Sequence, residues 1–113
     1  MKYELVNKKT ITIFKIDERR MILDILDPVY KDILKQIKTL DKDVLVDMTK
    51  VEYLDSFAVG FLMDIFRMLL DSNHKLNIAG VNEKIGTLLK ITRVNNVVKI
   101  FPTIEEAQKE LKI

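Results

Sequence analysis

Asp55 and Ser56 stand where an apolar strand, Val44 to Val46, has passed through a polar turn into the long apolar run that begins at Phe57. A helix that starts there leaves its first N–H groups unpaired, with the positive end of the helix dipole behind them. Such a point can hold an anion, a phosphate or an acidic side chain of a partner. Three roles are open to the pair. Ser56 could accept a phosphoryl group, which would bring close to two negative charges next to Asp55. It could contact a partner as a neutral hydroxyl. Ser56 or Asp55 could also simply cap the helix, a role worth about 1 kcal/mol.

The other side chains with chemical potential are more isolated. Asp47 ends a strand, as the phosphoacceptor of a receiver-like protein or phosphocarrier would, but a receiver also needs an acidic pair after its first strand and a lysine after a later one. The first strands here carry neither. An Asx-type bond to the turn backbone at Thr49 to Val51 suits Asp47 better. His74 is the only histidine and there is no cysteine, so the usual metal-site partners are missing. The 3 glycines never fall at phosphate-loop spacing. No cofactor, metal or enzymatic activity is expected.

Composition bounds the class. The 113 residues suit a single domain, 1–113, with one core. Nineteen Lys+Arg against 17 Asp+Glu leave a net charge of +2, too balanced to imply nucleic acid. No run of about 18 uncharged apolar residues occurs. A soluble, cytoplasmic protein is expected.

The hydrophobic period alternates between two and about 3.6 along the chain, as in strands interleaved with helices. Tyr3 and Leu5, then Ile11, Ile13 and Ile16, predict an N-terminal antiparallel hairpin. Residues 17–27 give no clear pattern: Asp17 to Arg20 read as a turn, and Met21 to Leu26 as a strand, a buried loop or an exposed apolar docking patch. Asp27-Pro28 reads as an N-cap and first helical residue, opening a helix to Leu40. Val44 to Val46 is a strand covered on both faces. A helix over Ala58 to Leu70, a strand over Lys75 to Ala79, a helix over Glu83 to Ile91 and a short strand over Val97 to Ile100 follow. Thr103 with Glu106 forms a capping-box signature for a terminal helix that buries Ala107 and Leu111. The whole is an α/β domain: a mostly parallel sheet, an N-terminal antiparallel pair and about four helices.

The helix after Asp55 is apolar around most of its circumference. Ser56, Gly60, Asp64, Arg67 and Asp71 fall three or four apart, so one narrow seam faces water or a partner. Gly60 on that seam either eases packing or lets another backbone approach closely. Phe57 is either a core residue or an aromatic anchor for a partner.

The stretch Asp47-Met-Thr-Lys-Val-Glu-Tyr-Leu-Asp-Ser-Phe-Ala-Val-Gly-Phe-Leu62 resembles the core motif of the STAS family, the anti-sigma factor antagonists. There a strand ending Asp-Leu-Ser leads to Asp-Ser-Ser-Gly or Asp-Ser-Thr-Gly and an apolar helix. The spacing of Leu76, Ile78, Gly80, Val81, Ile85, Leu88, Leu89, Val94, Val97, Ile100, Phe101 and Ala107 extends the resemblance over residues 40 to 110. The family's usual Gly-Glu-Leu-Asp before the first helix is absent.

The resemblance implies a protein-binding regulator whose partner is an anti-sigma factor that is also a serine kinase, sequestered so that a sigma factor is released. In the family, phosphorylation of a Ser or Thr before the motif glycine breaks that complex. Here Asp55 matches the motif aspartate and Ser56 the first serine, while the phosphoacceptor position falls on Phe57 and the glycine on Ala58. Asp55, Ser56, Phe57, Gly60 and Asp64 are the expected partner-binding residues, with Ser56 the one hydroxyl left to phosphorylate. A STAS-like subunit of a larger signalling or lipid-transport assembly, without phosphoswitching, is the alternative. A phosphocarrier or receiver-like protein using Asp47 or Ser56 is a further one.

Overall fold

The computed structural model describes all residues, 1–113. Strand β1 (Tyr3–Asn7) pairs antiparallel with β2 (Ile11–Ile16), Tyr3 lying opposite Ile16. β2 then lies parallel to β4 (Asp43–Asp47), β4 parallel to β6 (Leu76–Ala79), and β6 parallel to β7 (Lys99–Phe101). The sheet has five strands in the order β1-β2-β4-β6-β7. A second sheet of two short parallel strands, β3 (Arg20–Met21) and β5 (Tyr53–Leu54), stands apart from it.

Why Val44, Leu45 and Val46 form an unbroken apolar run is now plain, because each is buried and successive side chains enter different cores. Val44 and Val46 join the larger core with Phe14, Ile16 and Ile78. Residues of helices α2 (Tyr30–Leu40), α3 (Ser56–Asp71) and α4 (Glu83–Ile91), such as Ile33, Leu62 and Leu89, complete that core. Leu45 points the other way, into a smaller core with Ile11, Ile13, Ala79, Phe101 and Ala107. Ala107 comes from α5 (Ile104–Leu111), whose start is capped by the Thr103 hydroxyl accepting from the Glu106 N–H at 3.1 Å.

The expected hairpin, the mostly parallel sheet and the helices after residues 55 and 82 are all present. Three local readings need correction. Met21 to Leu26 is neither one strand nor a buried loop: Met21 ends β3, and Leu23–Leu26 is a helical turn, α1. Met21 and Leu26 are fully buried while Leu23 is 45% exposed, so the run is split between core and surface.

Asp27 is not an N-cap. Its backbone is helical (φ −53, ψ −45) and its N–H already bonds to Leu23 O, so it continues the path of α1 into a 3-10 turn, Asp27–Val29, that leads to α2. A cap needs an extended backbone to aim its side chain at the following N–H groups. The last strand is also shifted, to Lys99–Phe101, because a 3-10 turn at Val94–Asn96 takes up the Val97 and Val98 N–H groups on Val94 O. Val97 is consequently 49% exposed.

Candidate functional site

Asp55 has the extended backbone of an N-cap (φ −97, ψ 179), and its Oδ1 accepts from the Ala58 N–H at 2.9 Å. Its Oδ2 accepts from the Leu23 N–H, the first of α1, at 2.9 Å. One carboxylate therefore caps two helices. Chain geometry brings them together: the Glu52 and Tyr53 N–H groups donate to Arg19 O at 2.7 and 3.2 Å, and the Asp55 N–H donates to Met21 O at 3.3 Å. The Arg19 guanidinium adds an exposed ion pair to Glu52 at 2.6 Å, which raises the Arg19 pKa through that hydrogen bond. Exposed pairs of this kind contribute little stability. The backbone bonds and the Asp55 caps hold the loop before α1 against the start of α3.

Ser56 is the first residue of α3 and is exposed. Phe57 is half-buried and packs edge-on against Tyr30 of α2, with ring centroids 5.3 Å apart and planes at 60°. Tyr30 meets Phe61 in the same way at 4.8 Å. The Tyr30 hydroxyl donates to Asp64 Oδ2, and the other oxygen of Asp64 takes the Arg67 guanidinium at 2.7 Å. Burial, then the bond to Asp64, push the Tyr30 pKa up to about 12. That same bond lowers the Asp64 pKa, helped by Arg67. Asp64 thus stays ionised and Tyr30 neutral around neutral pH, which fixes the Tyr30 ring on which Phe57 rests.

Gly60 is exposed, and a β-carbon added there would meet nothing within 4 Å. The seam along α3 therefore faces outward at Ser56 and Gly60, whereas Asp64 leans toward α2.

Asp47 bonds its own turn: its Oδ1 accepts from the Thr49 N–H at 3.0 Å and from the Thr49 hydroxyl. The turn lies against Gly80, whose φ is +79 and whose added β-carbon would come within 2.9 Å of the Thr49 nitrogen. His74 lies at the start of β4 and β6, at the other end of the strands from Asp47. Its Nε2 meets Asp41 at 2.9 Å and its Nδ1 meets Asp43 at 3.2 Å, with a raised pKa caused chiefly by the Asp41 bond. No group of three or more His, Cys, Asp or Glu is placed to hold a metal ion.

Sequence reasoning missed two neighbours of the site. Tyr30 was legible only as one apolar position on α2, since its hydroxyl partner lies 34 residues away. The outer stripe of α4, Lys84, Leu88 and Ile91, borders Ser56 across a groove. Its spacing of three and four was the available signal.

Comparison with known proteins places this geometry among relatives. The model of the STAS domain matches residues 2–107. A Thermotoga maritima protein provisionally named an anti-sigma factor antagonist is 30% identical over 69 residues, which are 61% of this chain and 61% of that protein. An anti-sigma-B factor antagonist of Staphylococcus aureus is 29% identical over 59 residues, 52% of this chain and 55% of its own length. The aligned stretches thus span less than two thirds of these curated relatives. An anti-sigma-factor antagonist domain protein from Planctomyces limnophilus superposes with a TM-score of 0.87 at 15% identity, covering 98% of each chain, a likeness of fold. No helix is long and apolar enough to cross a membrane.

Proposed function

The chain belongs to the STAS domain family, and on that premise we propose that it is a protein-binding regulator of the anti-sigma factor antagonist kind, not an enzyme. Its partner is an anti-sigma factor serine kinase, met at the start of α3 through Asp55, Ser56, Phe57, Gly60 and Asp64. Binding there withdraws the kinase from a sigma factor. The names of the relatives support the class of partner.

The observation that carries the reading is the seat of Phe57. By the resemblance the phosphoacceptor position falls on Phe57, a ring without a hydroxyl, and that ring packs edge-on against Tyr30. The adjacent surface, Ser56 and Gly60, is open, and its base is held by the double cap of Asp55. A fixed surface with little conformational freedom to lose is suited to association, because ordering costs are met in folding and not in binding. Docking at this face is constitutive, without the phosphoryl switch.

The test uses the full chain, the purified anti-sigma factor kinase of the same organism, and ATP. Size-exclusion chromatography is expected to show a complex, and intact mass to show no phosphate on this protein after incubation. A phosphate mass shift that disappears in Ser56→Ala would show that Ser56 is a switch after all. Failure to form a complex with the kinase would remove that partner.

A further inference from the structure

Tyr30 opens α2, and the residue before it, Val29, makes no capping bond to the helix. What fixes the Tyr30 side chain lies on α3. Its ring meets the half-buried Phe57 with centroids 5.3 Å apart and the fully buried Phe61 at 4.8 Å, and its hydroxyl donates to Asp64. Phe57, Phe61 and Asp64 follow one another at spacings of four and three, so they form one stripe of the helix, and Tyr30 lies along it from the first residue to the last. Phe61 is met edge-on in turn by Phe14 of β2 at 6.4 Å. The middle of the stripe is thereby tied to the sheet.

The two ends of the stripe differ. At one end Phe57 stands beside the exposed Ser56 and three residues before the exposed Gly60, on the border of the docking face. At the other end Asp64 receives the Tyr30 hydroxyl on one oxygen and the Arg67 guanidinium on the other, at 2.7 Å. Edge-on ring contacts are met over a range of centroid distances, about 4.5–7 Å, and of tilts. A hydrogen bond to an ionised carboxylate is stronger and directional. Phenylalanine at position 30 would fill the same space between Phe57 and Phe61, so the hydroxyl bond is what selects one tilt of the Tyr30 ring and one seat for Phe57 against it.

We propose that Tyr30 is a positioning residue of the docking face: its bond to Asp64 sets the pose in which Phe57 meets the partner. The inference rests on the reading that a protein partner docks at Asp55, Ser56 and Phe57, and it names the residue of another helix that prepares one of those contacts. With the bond in place, the Phe57 ring is ordered when the chain folds. Without it, the partner has to order the ring on binding, and affinity falls by that cost.

The experiment is a double-mutant cycle on the full chain, with Tyr30→Phe, Phe57→Leu and the double variant each titrated calorimetrically against the purified anti-sigma factor kinase of the same organism. Tyr30→Phe keeps the ring and removes one oxygen, while Phe57→Leu keeps apolar bulk and removes the ring. Circular dichroism checks that the variants fold, and urea unfolding reads any loss of stability separately from binding. The expected result is an affinity about threefold to tenfold lower in Tyr30→Phe, the scale of one side chain ordered on binding, and no further loss when Tyr30→Phe is added to Phe57→Leu. Unchanged affinity in Tyr30→Phe, with or without a lower urea midpoint, overturns the proposal and leaves the hydroxyl a purely structural bond. Equal losses in the two backgrounds overturn it as well, since Tyr30 then acts independently of Phe57. So does a Phe57→Leu variant that binds as tightly as the parent, because no pose of that ring is then read. These three outcomes leave kinase binding itself standing, whereas a parent chain that does not bind the kinase removes the docking face and the role of Tyr30 together.

Discussion

The carboxylate of Asp55 and the backbone N–H of Leu23, 32 positions apart, meet at 2.9 Å. The same carboxylate holds Ala58, so its removal uncaps two helix starts at once. Loss of a cap costs about 0.5–2 kcal/mol. Asp55→Ala is expected to destabilise by more than a single cap, about 2–3 kcal/mol, and Asp55→Asn by about half as much, because its amide has one acceptor oxygen instead of two. Urea unfolding of both variants checks this. Equal losses in the two would mean that only one of the bonds matters.

Phe57→Ser puts a hydroxyl at the position that the proposed reading takes for the phosphoacceptor. The half-buried ring leaves Tyr30 without its edge-on neighbour, for a loss of about 1–3 kcal/mol, below the range for fully buried aromatic residues. Incubated with the kinase and ATP, this variant is expected to gain a phosphate mass, where the proposed function expects none on the parent protein. If it stays unmodified while still binding the kinase, residue 57 is not what decides phosphorylation.

The pH dependence of stability has an assignable source at the other end of the sheet. The pKa of His74 is raised in the folded protein by its bond to Asp41 and then by Asp43, so folding favours its protonated form. Its contribution is fully present below the unfolded value of about 6.5 and is lost as pH rises through the higher folded value. The urea midpoint is expected to fall as pH rises from about 6.5 through the higher folded value. His74→Gln should flatten the curve there. An unchanged slope in the variant would locate the effect elsewhere.

Two glycines are expected to respond in opposite ways. Gly60→Ala meets no atom within 4 Å and replaces a poor helix former by the best one. It should add about 0.5–1 kcal/mol of stability while weakening partner binding, if a partner's backbone comes close at that point. Gly80→Ala forces an L-residue to φ +79 and against the Thr49 backbone at 2.9 Å. It should cost about 1–3 kcal/mol. Thermal unfolding measures both, and a stabilised, fully binding Gly60→Ala would take Gly60 out of the contact.

Much of this architecture was legible because local signals agreed with the global fold. The Val44–Val46 run announced a strand covered on both faces, and Asp55, Asn82 and Thr103 each stand at the N-cap of a helix. The Asp47 turn was read from the short carboxylate alone. Residues 17–27 were not legible, because what shapes them is distant: the Arg19 and Met21 carbonyls answer to N–H groups at Glu52 to Asp55, and Leu23 to the Asp55 side chain. Asp27-Pro28 carries a true cap signature, but the preceding turn of helix had already taken its N–H. At the site, Asp55, Ser56 and Gly60 followed from spacing along one helix. Tyr30 and Lys84 lie on other elements, and periodicity within a single helix says nothing of its neighbours.

The short pairing of β3 with β5 has a consequence for when the face at Asp55 exists. Arg20 and Met21 lie against Tyr53 and Leu54, so the start of α3 is finished by chain made some thirty residues earlier. A peptide copied from 47–62 would carry every residue of the motif and none of the surface, lacking the Leu23 N–H and the Tyr30 ring. Chains clipped between Tyr30 and Asp47, or partly unfolded ones, lose the face in the same way. The face at Asp55 therefore exists only where residues 20–23 and 53–55 have come together.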